Sequence, residues 1–356
     1  MWLCNINEEY KYVMINKLLP IVKNIHTELL SYELSGNIGL HGGTSGVALF
    51  LSYYDKIILN SRNLSSKVLD ILQYNVEWIN SGKKIHTISR GFCGFGWLCE
   101  HLRTLNMLNN DDIEFLDDLD LVLCKQMLYD VTHNNYEFLH GAIGVGLYFL
   151  SRLDKSKIAI QALQKLIVDL DKSSIDCGNK GLKWLSILNY DTGESGFNIS
   201  ISHGMSGLIS FLIRLYQFNI EREKVERLLL GSIKYVLNQI TYKDGAISYF
   251  PMFSKDYKSL YPHSRLAWCY GDLSIAYVLW HAAVLLNDEK LKNQALDILY
   301  FNANRLDLEN NGIIDTCLCH GTSGVAHVFW NIYLDTHIDK FKNINTSVNF
   351  YRKIKS

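Results

Sequence analysis

The chain has 356 residues, which is enough for two average domains or for one large closed domain. Hydrophobic residues make up 48% of the chain and charged residues 20%, so it can bury a large core. The formal net charge of −1 gives no electrostatic reason to expect binding to nucleic acid or to an anionic membrane. Only 3 prolines are present, so no proline-rich linker is available to separate domains.

The cellular compartment is predicted from the start of the chain and from its cysteines. The first residues carry no secretory signal pattern, and no apolar run reaches the roughly 18 residues of a membrane-spanning helix. We therefore expect a cytoplasmic protein, with peripheral membrane association through a biosynthetic complex as an open alternative. In that compartment thiols stay reduced, so the 8 cysteines are expected to be core residues, metal ligands or catalysts.

Helical periodicity dominates the chain from its first segment onward. Apolar residues from Ile15 to Leu29 recur at steps of three and four, which indicates one apolar helix face that Pro20 should kink or break. A second such face runs from Leu64 to Ile79. Further amphipathic helices are predicted near residues 111–131, 157–172, 220–240 and 288–304.

Six short glycine turns separate these amphipathic segments from a second type of helix, which is apolar nearly all round. The turn glycines are Gly43, Gly91, Gly141, Gly204, Gly271 and Gly321. The intervals between these glycines are typical of repeated helical hairpins. The last repeat is as apolar as those in the middle, whereas an open solenoid needs polar caps, so closure into a ring is favoured.

The two longest intervals between turns contain candidate functional loops. Residues 177–200 are predicted to form glycine-rich loops with a short hairpin as an option, and residues 242–264 are predicted to form a similar loop. Each precedes a turn that carries candidate site residues. Long loops on a rigid scaffold often hold function.

Cysteine and histidine at the last two turns suggest a metal site. A catalytic Zn²⁺ ion takes three protein ligands and leaves the fourth position open, and Cys269, Cys319 and His320 would form such a set. These residues lie at equivalent turns of successive repeats. Two alternatives remain open here, since a buried cysteine is often a core residue and Cys317 is a rival ligand.

The other candidate residues also have structural interpretations. Histidine precedes glycine four times, so each imidazole could cap the free amides of the next helix. Arg265 could be a surface cation and Tyr270 a packing residue. Asp272 is predicted to be an N-terminal helix cap, which is compatible with a supporting role at the site.

Taken together, these motifs resemble the lanthionine synthetase C-like family over about residues 30–335. The most specific elements are Trp268-Cys269-Tyr270-Gly271-Asp272 and Cys319-His320-Gly321, and Ser202-His203-Gly204 also matches. The resemblance implies an all-α fold, the α/α toroid, with six to seven repeats around a central cavity. It implies one toroid cyclase domain over residues 1–356, with the seventh hairpin formed by segments such as 336–354.

The resemblance also implies a reaction. Family cyclases use one Zn²⁺ ion per chain, here held by Cys269, Cys319 and His320, and add peptide cysteine thiolates to dehydroalanine or dehydrobutyrine. The products are the lanthionine and methyllanthionine thioether rings of lanthipeptides. The expected partners are a dehydrated precursor peptide and, as further options, a dehydratase and an export transporter.

Four residues take their expected roles from the same resemblance. His203 matches the acid/base histidine of the family, and Arg265 and Tyr270 match the residues that flank the first zinc cysteine. Glu137 stands where the family usually has aspartate, four residues before the third turn glycine. Its side chain is one methylene longer, and we expect it to orient His203 or a water molecule.

Three other functions stay open at this point. An enzyme of the same fold could add glutathione or another thiol to dehydro residues. A non-catalytic scaffold could bind a peptide or a kinase-like partner. A toroidal glycosidase would need a pair of carboxylates, and the turns supply Glu137 and Asp272.

Overall fold

The structure is a computed structural model that describes residues 14–243, 245–256, 263–305, 307 and 309–344. These ranges contain thirteen α-helices and four short strands. The chain divides into two compact units, with the boundary between Leu119 and Asp120. The expected single domain over 1–356 stays a prediction. Among the described residues, no helix combines the length and the apolar character needed to cross a membrane.

The first unit is helical. Its helices are α1 Leu19–Leu30, α2 Thr44–Ile57, α3 Ser66–Asn80, α4 Phe92–Thr104 and the start of α5 Leu116–Thr132. A short π-helix, Met14–Leu18, precedes α1, and Pro20 lies in the first turn of α1. Proline fits there because the first turn needs no intrahelical N–H donor, so the predicted break falls just before it.

The core of the first unit lies between α2, α3 and α4. Each of these helices contributes side chains that are fully buried, and together they form one apolar cluster: Ala48, Leu51, Val68, Ile71, Leu98 and Leu102. One of these residues, Val68, belongs to the predicted face of Leu64, Val68, Leu72, Val76 and Ile79, and partly buried Leu64 and Leu72 pack against the cluster. The predicted helix is confirmed, but its buried residues are Val68, Ile71, Asn75 and Trp78, so the buried side overlaps the predicted face only at Val68.

The second unit contains the rest of α5 and eight further helices. They are α6 Ala142–Ser151, α7 Ala159–Ser173, α8 Met205–Gln217, α9 Arg222–Leu237, α10 Asp272–Leu286, α11 Glu289–Asn302, α12 Thr322–Thr336 and α13 Asp339–Ile344. The helices predicted near 111–131, 157–172, 220–240 and 288–304 are thus confirmed as α5, α7, α9 and α11. The predicted seventh hairpin over 336–354 lies partly outside the described residues.

The predicted hairpin in residues 177–200 is confirmed, and a second hairpin accompanies it. Strands β1 Ile175–Asp176 and β2 Leu182–Lys183 pair antiparallel, as do β3 Ser186–Asn189 and β4 Glu194–Gly196. The described parts of residues 242–264 contain turns and bends without a strand, as the sequence predicts.

Each of the six apolar helices begins directly after its turn glycine. The fourth turn shows why glycine is needed there. A Cβ atom on Gly204 would lie 2.3 Å from the carbonyl oxygen of Asn198, and one on Gly207 would lie 2.3 Å from that of Ile201. In both cases the obstacle is the backbone six residues earlier, and it cannot move aside as a side chain can.

The same backbone carbonyls satisfy the free amides at the helix starts. Met205 N–H donates to the Asn198 carbonyl at 2.9 Å, and Ala142 N–H donates to that of Asn135 at 2.9 Å. The ring nitrogens of His140 and His203 contact a carboxylate instead. The interpretation of these histidines as helix caps is therefore wrong, because the turn backbone already fills that role.

Neighbouring turns are joined by their backbones within each unit. In the first unit, His41 N–H donates to the Ser89 carbonyl at 3.0 Å. In the second unit, Ser202 N–H donates to the Cys269 carbonyl at 3.4 Å, and Cys269 N–H donates to the Cys319 carbonyl at 3.0 Å. All of these residues stand two positions before a turn glycine. The fourth, fifth and sixth turns thus form a row that places Cys269 beside Cys319.

Candidate active site

The three predicted metal ligands lie together in the second unit. One ligand atom each from Cys269, Cys319 and His320 lies within 4.8 Å of the other two. Cys269 is buried, and the other two side chains are half-buried. Two thiols and one imidazole are a donor set that suits zinc, and three donors leave a fourth position for a substrate. The residues present therefore fit a Zn²⁺ ion.

The two thiols have opposite pKa shifts. A hydrogen bond with Cys319, together with burial, raises the pKa of Cys269. The same hydrogen bond lowers the pKa of Cys319, and the neighbouring His320 lowers it further. Cys319 is therefore the thiol of the pair that loses its proton more readily.

A second cluster is centred on the buried carboxylate of Glu137. Its Oε1 lies 3.1 Å from Nδ1 of His140, and its Oε2 lies 3.1 Å from Nδ1 of His203. The two imidazole rings are parallel, with centroids 5.5 Å apart. Burial by itself raises the pKa of Glu137, but hydrogen bonds with His140 and His203 outweigh it and lower the pKa to about 2. The carboxylate is therefore ionised at neutral pH.

Local backbone geometry holds Glu137 in this position. Its Oε2 accepts the N–H of Leu139 at 2.7 Å, and its Oε1 accepts the N–H of His140 at 2.5 Å. Leu139 stands two residues before its turn glycine. At the same position of the fourth and fifth turns, the backbone N–H donates to a carbonyl of the next turn. In the third turn this N–H donates to the Glu137 carboxylate instead. The turn backbone thus fixes the group that contacts His203.

The hairpin β3–β4 adds a tyrosine to this cluster. Tyr190, which lies between the two strands, has its hydroxyl 3.0 Å from Glu137 Oε1 and 2.9 Å from Asn135 Oδ1. Its ring packs edge-on against His140, with centroids 5.2 Å apart. The inserted loop therefore reaches the candidate site, as predicted for the segment 177–200.

Tyr270 adjoins both clusters. Its hydroxyl accepts a hydrogen bond from Nδ2 of Asn198 at 3.1 Å, and its ring centroid is 6.0 Å from that of His203. It directly follows Cys269 in the chain. Burial raises the pKa of Tyr270, so its hydroxyl stays protonated at neutral pH. The positive charge of half-buried Arg265 partly opposes the rise in the pKa of Cys269.

Asp272 ties a loop to the fifth turn. Its buried carboxylate accepts the N–H groups of Tyr249 at 2.6 Å and Phe250 at 2.9 Å, and it pairs with Arg305 at 3.0 Å. The N-cap of α10 is Gly271, and the Asp272 side chain faces the loop. The prediction that Asp272 caps its own helix is therefore wrong, whereas its supporting role next to Cys269 remains compatible with these contacts.

The structure adds Asp315, His140 and Tyr190 to the residues predicted for the site. Asp315, Cys317 and His320 form another group whose ligand atoms lie within 4.8 Å of one another. His140 and Tyr190 join the carboxylate cluster. A signal for Asp315 was available, because it stands six residues before a turn glycine, where three other turns have asparagine.

Comparison with known proteins supports the same assignment of fold. The family model for lanthionine synthetase C-like proteins matches residues 35–355. The solved structure of nisin cyclase is similar, with a TM-score of 0.73 and 17% identity, over 94% of this chain and 87% of that chain. At this identity the likeness shows the fold, and it confirms the expected all-α fold of the α/α toroid class. The chain belongs to the lanthionine synthetase C-like family.

Proposed function

We propose that this protein is a zinc-dependent lanthipeptide cyclase. The observation that carries the proposal is the presence of two clusters that Tyr270 adjoins: Cys269, Cys319 and His320 form one, and Glu137 with His203 forms the other. The first set suits a thiol-binding metal, and the second suits proton transfer. Addition of a thiol to a dehydro residue needs both functions.

The metal cluster would generate the nucleophile. Cys269, Cys319 and His320 would hold one Zn²⁺ ion, which when bound deprotonates a coordinated thiol near neutral pH. A free thiol has a pKa of about 8.5 and is mostly protonated under those conditions. The substrate thiolate adds to the β-carbon of dehydroalanine or dehydrobutyrine, and the electron pair of the double bond moves towards the carbonyl as an enolate.

His203 would complete the addition by donating a proton to the α-carbon. Glu137 accepts the Nδ1–H of His203, which fixes the tautomer and orientation of the ring. Arg265 and Tyr270 would stabilise the enolate oxygen or orient the peptide, since both lie beside Cys269.

The proposed substrate is a dehydrated precursor peptide in the cytoplasm. A dehydratase that forms the dehydro residues and an exporter of the product are the proposed partners. The related alternative is addition of glutathione or another thiol, which would use the same site. A glycosidase is disfavoured, because Asp272 is engaged by Arg305 and by two backbone amides.

The assay uses a peptide that contains one cysteine and one dehydroalanine. Ring closure leaves the peptide mass unchanged, so the product is measured as loss of the thiol that reacts with a maleimide. We expect zinc-loaded protein to close the ring faster than it joins glutathione to a cysteine-free dehydroalanine peptide. Faster reaction with glutathione would favour the alternative, and no reaction with either would favour a binding scaffold.

A His203→Ala variant tests the proton donor. We expect it to keep its zinc and to lose about 100-fold or more in ring closure, as is typical when a general acid is removed. His327→Ala is a matched control, because His327 is a histidine of α12 that contacts Asn331. Full activity of His203→Ala would show that His203 is not the acid.

A further inference from the structure

The sixth turn differs from the other turns at one position. The residues six before the turn glycines are Asn37, Ile85, Asn135, Asn198, Arg265 and Asp315. Asp315 is the only carboxylate among them. One of its oxygens makes the same bond as asparagine does elsewhere, since Oδ1 accepts the Cys317 N–H at 2.9 Å and Asn198 Oδ1 accepts the Ser200 N–H at 2.9 Å.

The second oxygen of Asp315 has a different partner. Oδ2 lies 2.9 Å from Nε2 of His320. In the third and fourth turns, asparagine presents an NH₂ group at this place, which donates from Asn135 to the His140 carbonyl at 3.0 Å and from Asn198 to the Tyr270 hydroxyl at 3.1 Å. A carboxylate can accept the ring N–H of His320, whereas an NH₂ group cannot.

The turn glycine leaves room for this carboxylate. A Cβ atom on Gly321 would lie 2.3 Å from Asp315 Oδ1. The carboxylate is therefore held against the backbone of the Cys319-His320-Gly321 motif. Its two oxygens are engaged by Cys317 and His320, which both belong to the same turn.

We propose that Asp315 is a positioning residue for the metal site, one that accepts the Nε2–H of His320 and leaves Nδ1 to bind the ion. The inference rests on the proposed zinc site. Histidine ligands commonly donate their second ring N–H to a carboxylate, which fixes the ring and makes the ligand more basic. Asp315 supplies that contact in this chain.

The test compares the zinc dissociation constants of the wild type and Asp315→Asn, measured by competition with a chromophoric chelator. The asparagine keeps the turn bond through Oδ1 and loses the acceptor for His320. We expect zinc to bind about 10-fold more weakly, as for other contacts of this kind. Asn37→Asp is the matched control, because it makes the reverse change at the equivalent position of the first turn, and its zinc affinity should not change.

Two further readouts separate positioning from a structural role. The metal-free variant should unfold at the wild-type temperature, and its Co²⁺ form should keep the thiolate-to-cobalt absorption because both cysteines remain. Unchanged zinc affinity in Asp315→Asn would overturn the proposal. Equal zinc loss in Asp315→Asn and Cys317→Ala would overturn it too, since the ligands would then be Asp315, Cys317 and His320. Failure of the wild type to bind zinc would instead contradict the proposed function itself.

Discussion

Glu137 shows how one side chain organises the candidate acid/base site. It is 1% exposed, yet it is charged, because two histidines and two backbone amides surround its oxygens. The sequence predicts a carboxylate at this position that orients His203, and the observed contact is compatible with that prediction. Its second partner, His140, was not predicted, because a recurring His-Gly pair does not reveal which ring faces the carboxylate.

The charge of Glu137 predicts a specific dependence of stability on pH. Its pKa is lowered from 4.5 to about 2, so the charge stabilises the fold above pH 4.5, and this contribution is lost as the pH falls towards 2. The shift corresponds to roughly 3 kcal/mol. We expect the free energy of unfolding of the wild type to fall more steeply than that of Glu137→Gln over this range. The free energies are measured by urea titration at each pH. An equal fall with pH in the wild type and in Glu137→Gln would contradict the prediction.

At the scale of elements, the glycine turn is the unit that repeats. Its position and the helix after it could be predicted from the sequence, because hydrophobic period and glycine are local signals. The contacts between turns could not, since the bond from Cys269 to Cys319 joins segments that are far apart in the chain. The Asp272 contact with the loop at Tyr249 is likewise set by tertiary packing, and for that reason the local prediction of a helix cap was wrong.

Gly207 offers a test of the turn, because replacing this helical glycine with alanine is expected to destabilise the protein. Alanine in place of a helical glycine normally stabilises by about 1 kcal/mol. Here the new Cβ would lie 2.3 Å from the Ile201 carbonyl, so we expect Gly207→Ala to lower the free energy of unfolding by about 1–3 kcal/mol. Gly36→Asn is the control, because Gly36 has open space around it and asparagine tolerates its positive φ. A stabilised Gly207→Ala protein would refute the steric explanation.

At the scale of the molecule, the proposed zinc ion would link two turns of the second unit. Cys269 precedes α10, and Cys319 and His320 precede α12, so bound metal would join the starts of both helices. The ligand set could be predicted from the family resemblance. The choice between Cys319 and Cys317 as a ligand could not be made from sequence alone. Cys317 lies only two residues from Cys319, and it too is close to His320.

Metal binding should therefore raise the stability of the protein. Zinc at about 100 times its dissociation constant would add about 2.7 kcal/mol to the free energy of unfolding. We expect chelation to lower the unfolding temperature and added zinc to restore it. Cys269→Ala should show no such response, whereas Cys317→Ala should respond as the wild type does. If Cys317→Ala were no longer stabilised by zinc, the ligands would instead be Asp315, Cys317 and His320.

The most direct test of the central claim measures zinc content and ring closure on the same protein preparation. We predict about one zinc per chain, loss of ring closure in the dehydroalanine peptide when a chelator removes the metal, and recovery when one equivalent of zinc returns. Cys319→Ala should lack both the metal and the activity. A folded, metal-free protein that closes the ring at the wild-type rate would contradict the account.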